Sequence, residues 1–455
     1  MGIARRLVLF VAVVGLGVSS FAVFDTDPTN LTLDSLPNRT LGATPSLSSQ
    51  ADQLGSLLET KADETTQRGL ALLKENRIDE AKALLAESLG NEPKQVDAWL
   101  ALLYTEMRQG QLIPAQKVAT KALQHFPRHP EVRTHVALLA AVSGHPAKAI
   151  AFLEDTLAAD PDAIMPALHL ANMYVQARHP EYAVPLFEHL LTKHPRDAGL
   201  YSSLALLHTK TGNLPSAEST FRKALVQCQE TTELKLLLGR VILRLNRPGE
   251  AASWLEQIPE GYPQERLAVH FLSEAYTADQ DIQAAIRLLQ SWLSRHPKDA
   301  LLRYRLALLH QASGDPAEAI REVRTTLQHA PSFVPALNDL ASLLCEDPAT
   351  LPEAATFSSQ ALEQSPKNPA VLDTAGWVAW LQNDHTTALK HLEAARAQLP
   401  DHPHIQLHLA VVLATAPGAS DAQKTRAQSL ARQAIKKHPA WNKHPPLIKA
   451  GLATP

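Results

Sequence analysis

Cysteine is nearly absent from this chain: 455 residues contain two, Cys228 and Cys345. That count excludes a four-cysteine metal module. Charge of one sign is also lacking, with a net charge of −3 and a pI of about 6.7. No general basic field favours nucleic acid, and there is no acidic tail. Catalytic signatures are missing as well. There is no glycine-rich phosphate loop, no G-x-S-x-G elbow and no H-E-x-x-H pair, so we expect no enzyme and no cofactor. A long apolar run occurs once, from Leu7 to Phe24.

Two residue types occur at a fixed interval. Alanine stands at 81, 115, 149, 183, 217, 251, 285 and 319, each 34 residues from the last, and the series continues at 354, 388 and 427. Proline follows twelve residues behind at 93, 127, 161, 195, 263, 297, 331, 366, 400 and 439, with Gln229 the one break. Between these markers the pattern is helical. In LLRYRLALLHQASGDPAEAIREVRTTLQHAPSF, residues 301–333, Leu302, Leu306 and Leu309 recur at spacings of three and four and so share one helix face. Gly314 ends that helix. Asp315 supplies an N-cap for the next, Pro316 suits its first position, and Glu318 adds a capping-box pattern. The second helix runs through Ala319, Val323 and Leu327 until Pro331 stops it.

A 34-residue helix-turn-helix with a small residue at position 8, alanine at position 20 and proline at position 32 resembles the tetratricopeptide repeat family. Position 8 carries Gly69, Ala137, Ala171, Ala205, Gly239, Ala307 and Gly376, with Leu103 the bulky departure. Position 24 is mostly large, as at Leu85, Phe187, Leu255 and Leu392, but small at Ala119, Ser358 and Ala431. Packed helices need small residues where their axes cross and large ones in the holes beside. Eleven such repeats fit residues 62–441. The resemblance implies an all-α solenoid, a superhelix with a concave groove lined by the first helix of each repeat.

The ends differ in kind. Residues 1–24 carry the basic MGIARR followed by the apolar run, which addresses the chain to a membrane as an anchor or as a cleaved signal. Arg5 and Arg6 before the run and Asp25 and Asp27 after it place the repeats on the far side of the membrane. The expected location is the bacterial inner membrane, single-pass with periplasmic repeats, or the periplasm if the segment is cleaved. Residues 25–61 read as a tether and 442–455 as a terminal cap or tail. The two cysteines lie more than three repeats apart, too far to bridge, and read as free thiols.

Family groove positions 2, 5, 9, 12 and 13 give Lys210, Arg240, Arg244, His270 and Glu274, with Arg305 at position 6 of repeat 8. A cationic bias suits an acidic peptide or an anionic polysaccharide; a solvated face of scattered charges is the alternative. Further along stand Tyr304, Asn338, Asp373, Trp377 and Trp380. The two indoles share a helix face. Either they stack on a sugar ring or peptide, or they pack against Leu407 and Val411 of repeat 11. His402, His404 and His408 sit close enough in sequence to suggest a metal site. Against it, His194, His296, His402 and His438 are placed near second-helix ends, where the dipole favours an imidazole.

The last three repeats, with NDLASLL, PKNPAVLDTAGWVAWLQNDHTTALKHLEAARAQLP and HLAVVLA in order, are similar to the C-terminal part of bacterial envelope repeat proteins associated with exopolysaccharide production and exosortase sorting. This implies a scaffold that assembles polysaccharide, pilus or secretion components through protein or peptide ligands in the groove, with polysaccharide contact as an addition. A periplasmic assembly chaperone for clients such as cytochrome c apoproteins is the second reading.

Overall fold

Helix starts repeat with the sequence markers. The computed structural model describes residues 63–109, 111–229 and 231–453, and over these it contains α-helices, two short 3-10 turns and no strand. First helices open at Val96, Pro130, Ile164, Ala198 and Thr232, 34 residues apart, and again at Ala300, Val334, Pro369 and Pro403. Each runs for at most fourteen residues before a turn, and the partner helix folds back on it. In repeat 8 the helices are Ala300–Ala312 and Pro316–His329, and the Asp315 carboxylate accepts the Glu318 backbone N–H at 3.1 Å as the sequence pattern predicts.

In eight of the repeats the turn between paired helices places a left-handed residue at position 15. Gly144, Gly212 and Gly314 meet this without strain, and Asn76, Asn246 and Asn383 at small cost. Arg178 and Gln280 occupy the same conformation at φ 65° and 67°.

Alanine at position 20 is buried in every pair: Ala81 through Ala427 are at most 1% exposed. The reason is a close approach opposite position 8. A Cβ added to Gly239 would lie 2.7 Å from Leu255 Cγ, and one added to Gly376 would lie 2.6 Å from Leu392 Cγ. Repeat 2 inverts the sizes, with Leu103 and Ala119 in one apolar cluster. The core is therefore a succession of local clusters, each closed by the next helix pair.

Two second helices depart from the pattern. Pro185 has no N–H to donate, and in its repeat a 3-10 turn, Pro180–Tyr182, precedes a shortened helix, Val184–Lys193. The helix Pro248–Leu255 ends early, ahead of Pro259, Gly261 and Pro263.

The chain divides into two compact units, one reaching Ala268 and the other beginning at Val269. No helix among the described residues is long and apolar enough to cross a membrane. The proposed anchor, residues 1–24, and the tether, residues 25–61, lie outside the described residues. At the other end, the helix Pro445–Lys449 seats a fully buried Leu447 against the last repeat.

Candidate partner-binding site

The residues expected to face the groove divide between the two units. Lys210, Arg240 and Arg244 belong to the first, and His270, Glu274 and Arg305 to the second. Within the first unit Lys210 and Arg244 are exposed, and Arg240 is buried. Within the second, Arg305 is half-buried with Glu274 as its acidic neighbour, and burial pulls its guanidinium below the usual range. The Arg305 Nε meets no hydrogen-bond acceptor among the described residues.

Tyr304, Asn338 and Asp373 need correction as partner-contacting residues, because each is only 5% exposed. Tyr304 donates its hydroxyl to Asp339 Oδ2 at 2.6 Å and meets the Phe333 ring edge-on at 5.2 Å. Asp373 Oδ1 lies 2.9 Å from His408 Nδ1. Asn338 Nδ2 approaches Asp339 Oδ1 at 3.5 Å. The two short contacts follow one rule. A side chain at position 5 of one first helix reaches position 6 of the next, 35 residues on. Trp380 does the same two turns further along, donating its Nε1–H to Thr415 Oγ1 at 2.8 Å. These rungs tie successive first helices together. The 35-residue spacing of complementary polar types was the available signal, and a search for groove positions passes over it.

The indole pair is partly buried and packed on the cluster that contains Leu407 and Val411. Trp377 stacks on Trp380 at 4.5 Å and on His408 at 4.2 Å. Stacking on two neighbouring rings leaves less of Trp377 open to a sugar ring.

No group of three or more metal-ligating side chains forms among the described residues. His402 is not at a second-helix end: it is the N-cap of the first helix Pro403–Thr415, where the dipole disfavours a cation. His194, His296 and His438 do terminate second helices. Cys228 and Cys345 are buried free thiols, and burial pushes Cys345 up to about 12. On the second helices, ion pairs link neighbouring repeats, Arg324 to Glu353 and Arg426 to Glu393 among them.

What the fold and its fixed interval define is a helical repeat protein whose variable side chains lie on its first helices. Sequence profiles described as tetratricopeptide repeat match residues 72–142 and 276–345, 168–232 and 374–423, and 233–257, together more than half of the chain. The chain belongs to the tetratricopeptide repeat family.

Two curated relatives are similar to parts of it. A TPR repeat-containing protein of Pseudomonas aeruginosa is 27% identical over 170 residues, covering 37% of this chain and 29% of that one. Cellulose synthase 1 operon protein C of Komagataeibacter xylinus is 25% identical over 238 residues, covering 49% and 18%. The chain spans less than a third of the length of either relative. Among solved structures, PilW, described as a widely conserved type IV pilus biogenesis factor, aligns with a TM-score of 0.37 at 20% identity, over 46% of this chain and 100% of that one. PilF of Pseudomonas aeruginosa aligns with a TM-score of 0.35 at 20% identity, over 50% and 99%.

Proposed function

We propose that this protein is a non-enzymatic scaffold of the bacterial cell envelope, holding protein partners of a polysaccharide-synthesis or secretion assembly on the first-helix face of its repeats. Arg305 carries the proposal. It is a half-buried cation on a first helix whose Nε meets no acceptor, while the neighbouring position-5 and position-6 groups, Tyr304, Asp339, Asp373 and His408, are spent on one another. A desolvated guanidinium gains most from a carboxylate brought by a partner, since charge-assisted bidentate bonds strengthen where water is excluded. Glu274 beside it restricts which acidic segment fits. The exposed Lys210 and Arg244 of the other unit offer the same charge to partner segments there. The name of the Komagataeibacter relative supports the polysaccharide context, and the apolar run Leu7–Phe24 supports attachment at the inner membrane.

The test is site-directed photocrosslinking at Leu308, one turn from Arg305, in membranes that contain the full chain. We expect a small fixed set of synthesis or secretion proteins, lost or reduced about tenfold in Arg305→Gln, which is the cost of one charge-assisted contact. An Arg305→Gln chain that melts like the wild type yet captures the same proteins in the same amounts would refute the reading.

A further inference from the structure

Five imidazoles meet at the C-terminal end of the repeats. His404 and His408 lie one turn apart on the helix Pro403–Thr415, and His402 is its N-cap. His438 closes the helix Asp421–Lys437, and His444 is the N-cap of the terminal helix Pro445–Lys449. The His404 ring lies 6.2 Å from His402, 6.2 Å from His408, 6.3 Å from His438 and 4.3 Å from Trp441. Trp441 in turn stacks on His438 at 4.4 Å. Three chain segments are thus joined through aromatic packing, and Leu447 is fully buried in the apolar cluster on which Trp441 packs.

The cluster is rich in groups that can become cations. The charged groups that act on these rings include Asp373 on the helix Pro369–Leu381, Lys437 at the end of Asp421–Lys437, and the imidazoles themselves. Asp373 is already engaged by His408. Burial holds His402, His404 and His444 below the ordinary imidazole range, His444 at about 4, and neighbouring imidazoles push the same way. An imidazole depressed in the folded state binds fewer protons there than in the open chain. Its contribution to holding the cap is therefore complete above about pH 6.5 and is lost as pH falls towards 4.

We propose that this imidazole cluster is a proton-sensitive latch, which on acidification releases Trp441 and the helix Pro445–Lys449 from the last repeat and uncovers the apolar seat of Leu447. His402, His404 and His444 are each held back from protonation in the closed state, so opening is coupled to proton uptake at all three. The rest of the repeats has no matching cluster of aromatic contacts between imidazoles among the described residues.

Peptide-resolved hydrogen exchange of the full chain between about pH 7.5 and 4.5, corrected for the intrinsic pH dependence of exchange, tests this directly. Protection over residues 439–453 should fall at least about tenfold across that range while residues 300–330 keep theirs. In His404→Phe, which keeps an aromatic ring and removes the titrating group, the midpoint should move down by about one pH unit. His444→Gln gives a second reading in case His404→Phe folds poorly, because His444 makes no side-chain cap bond that the change would break. A terminal segment whose protection is flat with pH overturns the proposal. So does loss of protection in step with residues 300–330, or a midpoint that neither variant moves.

Discussion

Adding one methyl group at Gly376 should destabilise the C-terminal repeats, although alanine is the better helix former. Its Cβ would stand 2.6 Å from Leu392 Cγ, 3.2 Å from Leu392 Cδ2 and 3.1 Å from the Ala388 carbonyl oxygen. Leu392 is fully buried, so its side chain has no free volume into which to retreat. Overpacking of this kind costs about 1–3 kcal/mol, and the helix-propensity gain returns about 0.5–1 kcal/mol. The net loss is about 1–2 kcal/mol. Leu392→Ala alone opens a cavity and costs about 2–5 kcal/mol. In that background Gly376→Ala is relieved of both Leu392 contacts and keeps only the 3.1 Å approach to the Ala388 carbonyl oxygen, so the two changes are coupled by about 2 kcal/mol. Repeat 2 already makes this exchange, with Leu103 opposite Ala119.

Gly90 is the control. It lies in the helix Ile78–Asn91 with nothing within 4 Å of an added Cβ, and Gly90→Ala should stabilise by about 0.5–1 kcal/mol. Repeat arrays do not always unfold in one step. Urea midpoints should therefore be read together with hydrogen exchange of the helices Pro369–Leu381 and His385–Gln398. A Gly376→Ala chain as stable as the wild type, or additivity in the double variant, would refute the argument that size complementarity between positions 8 and 24 sets the packing.

The Tyr304–Asp339 rung predicts a pH dependence of opposite sign to that of the terminal imidazoles. Burial raises Asp339 to about 6, so its contribution to stability is full below the unfolded value of 3.8 and is lost as pH rises through about 6. Asp339→Asn should gain on the wild type by about 1–3 kcal/mol between about pH 4.5 and 7.5 in urea titrations, and a pH-independent difference would show that the carboxylate is not desolvated. Tyr304→Phe, which leaves Asp339 buried without its hydroxyl donor, should cost about 1–3 kcal/mol at neutral pH. At the surface, Arg324 and Glu353 are 41% and 39% exposed, so Arg324→Gln should cost no more than about 1 kcal/mol, less at high salt. A larger, salt-independent loss would mean that this pair is desolvated.

The sequence alone determined the helices, their order and their period. These follow from local chemistry: proline is confined to helix starts and to the turns between helices, left-handed glycine or asparagine ends them, Asp315 caps the chain three residues before its bonded N–H, and alanine at a fixed interval marks a close approach in every copy. Tertiary structure decided which first-helix side chains remain available. Tyr304 and Arg305 are adjacent in sequence, yet one is spent on Asp339 and the other is left half-buried with an unmatched Nε. Trp377 is partly buried because His408, on the next first helix, supplies a second ring to stack upon. His402 looked like the end of one helix and proved to be the start of another. Such outcomes depend on what the neighbouring repeat presents across about 10 Å of helix packing, a distance over which periodicity fixes the register and leaves the chemistry of each contact to the particular pair of residues that meet.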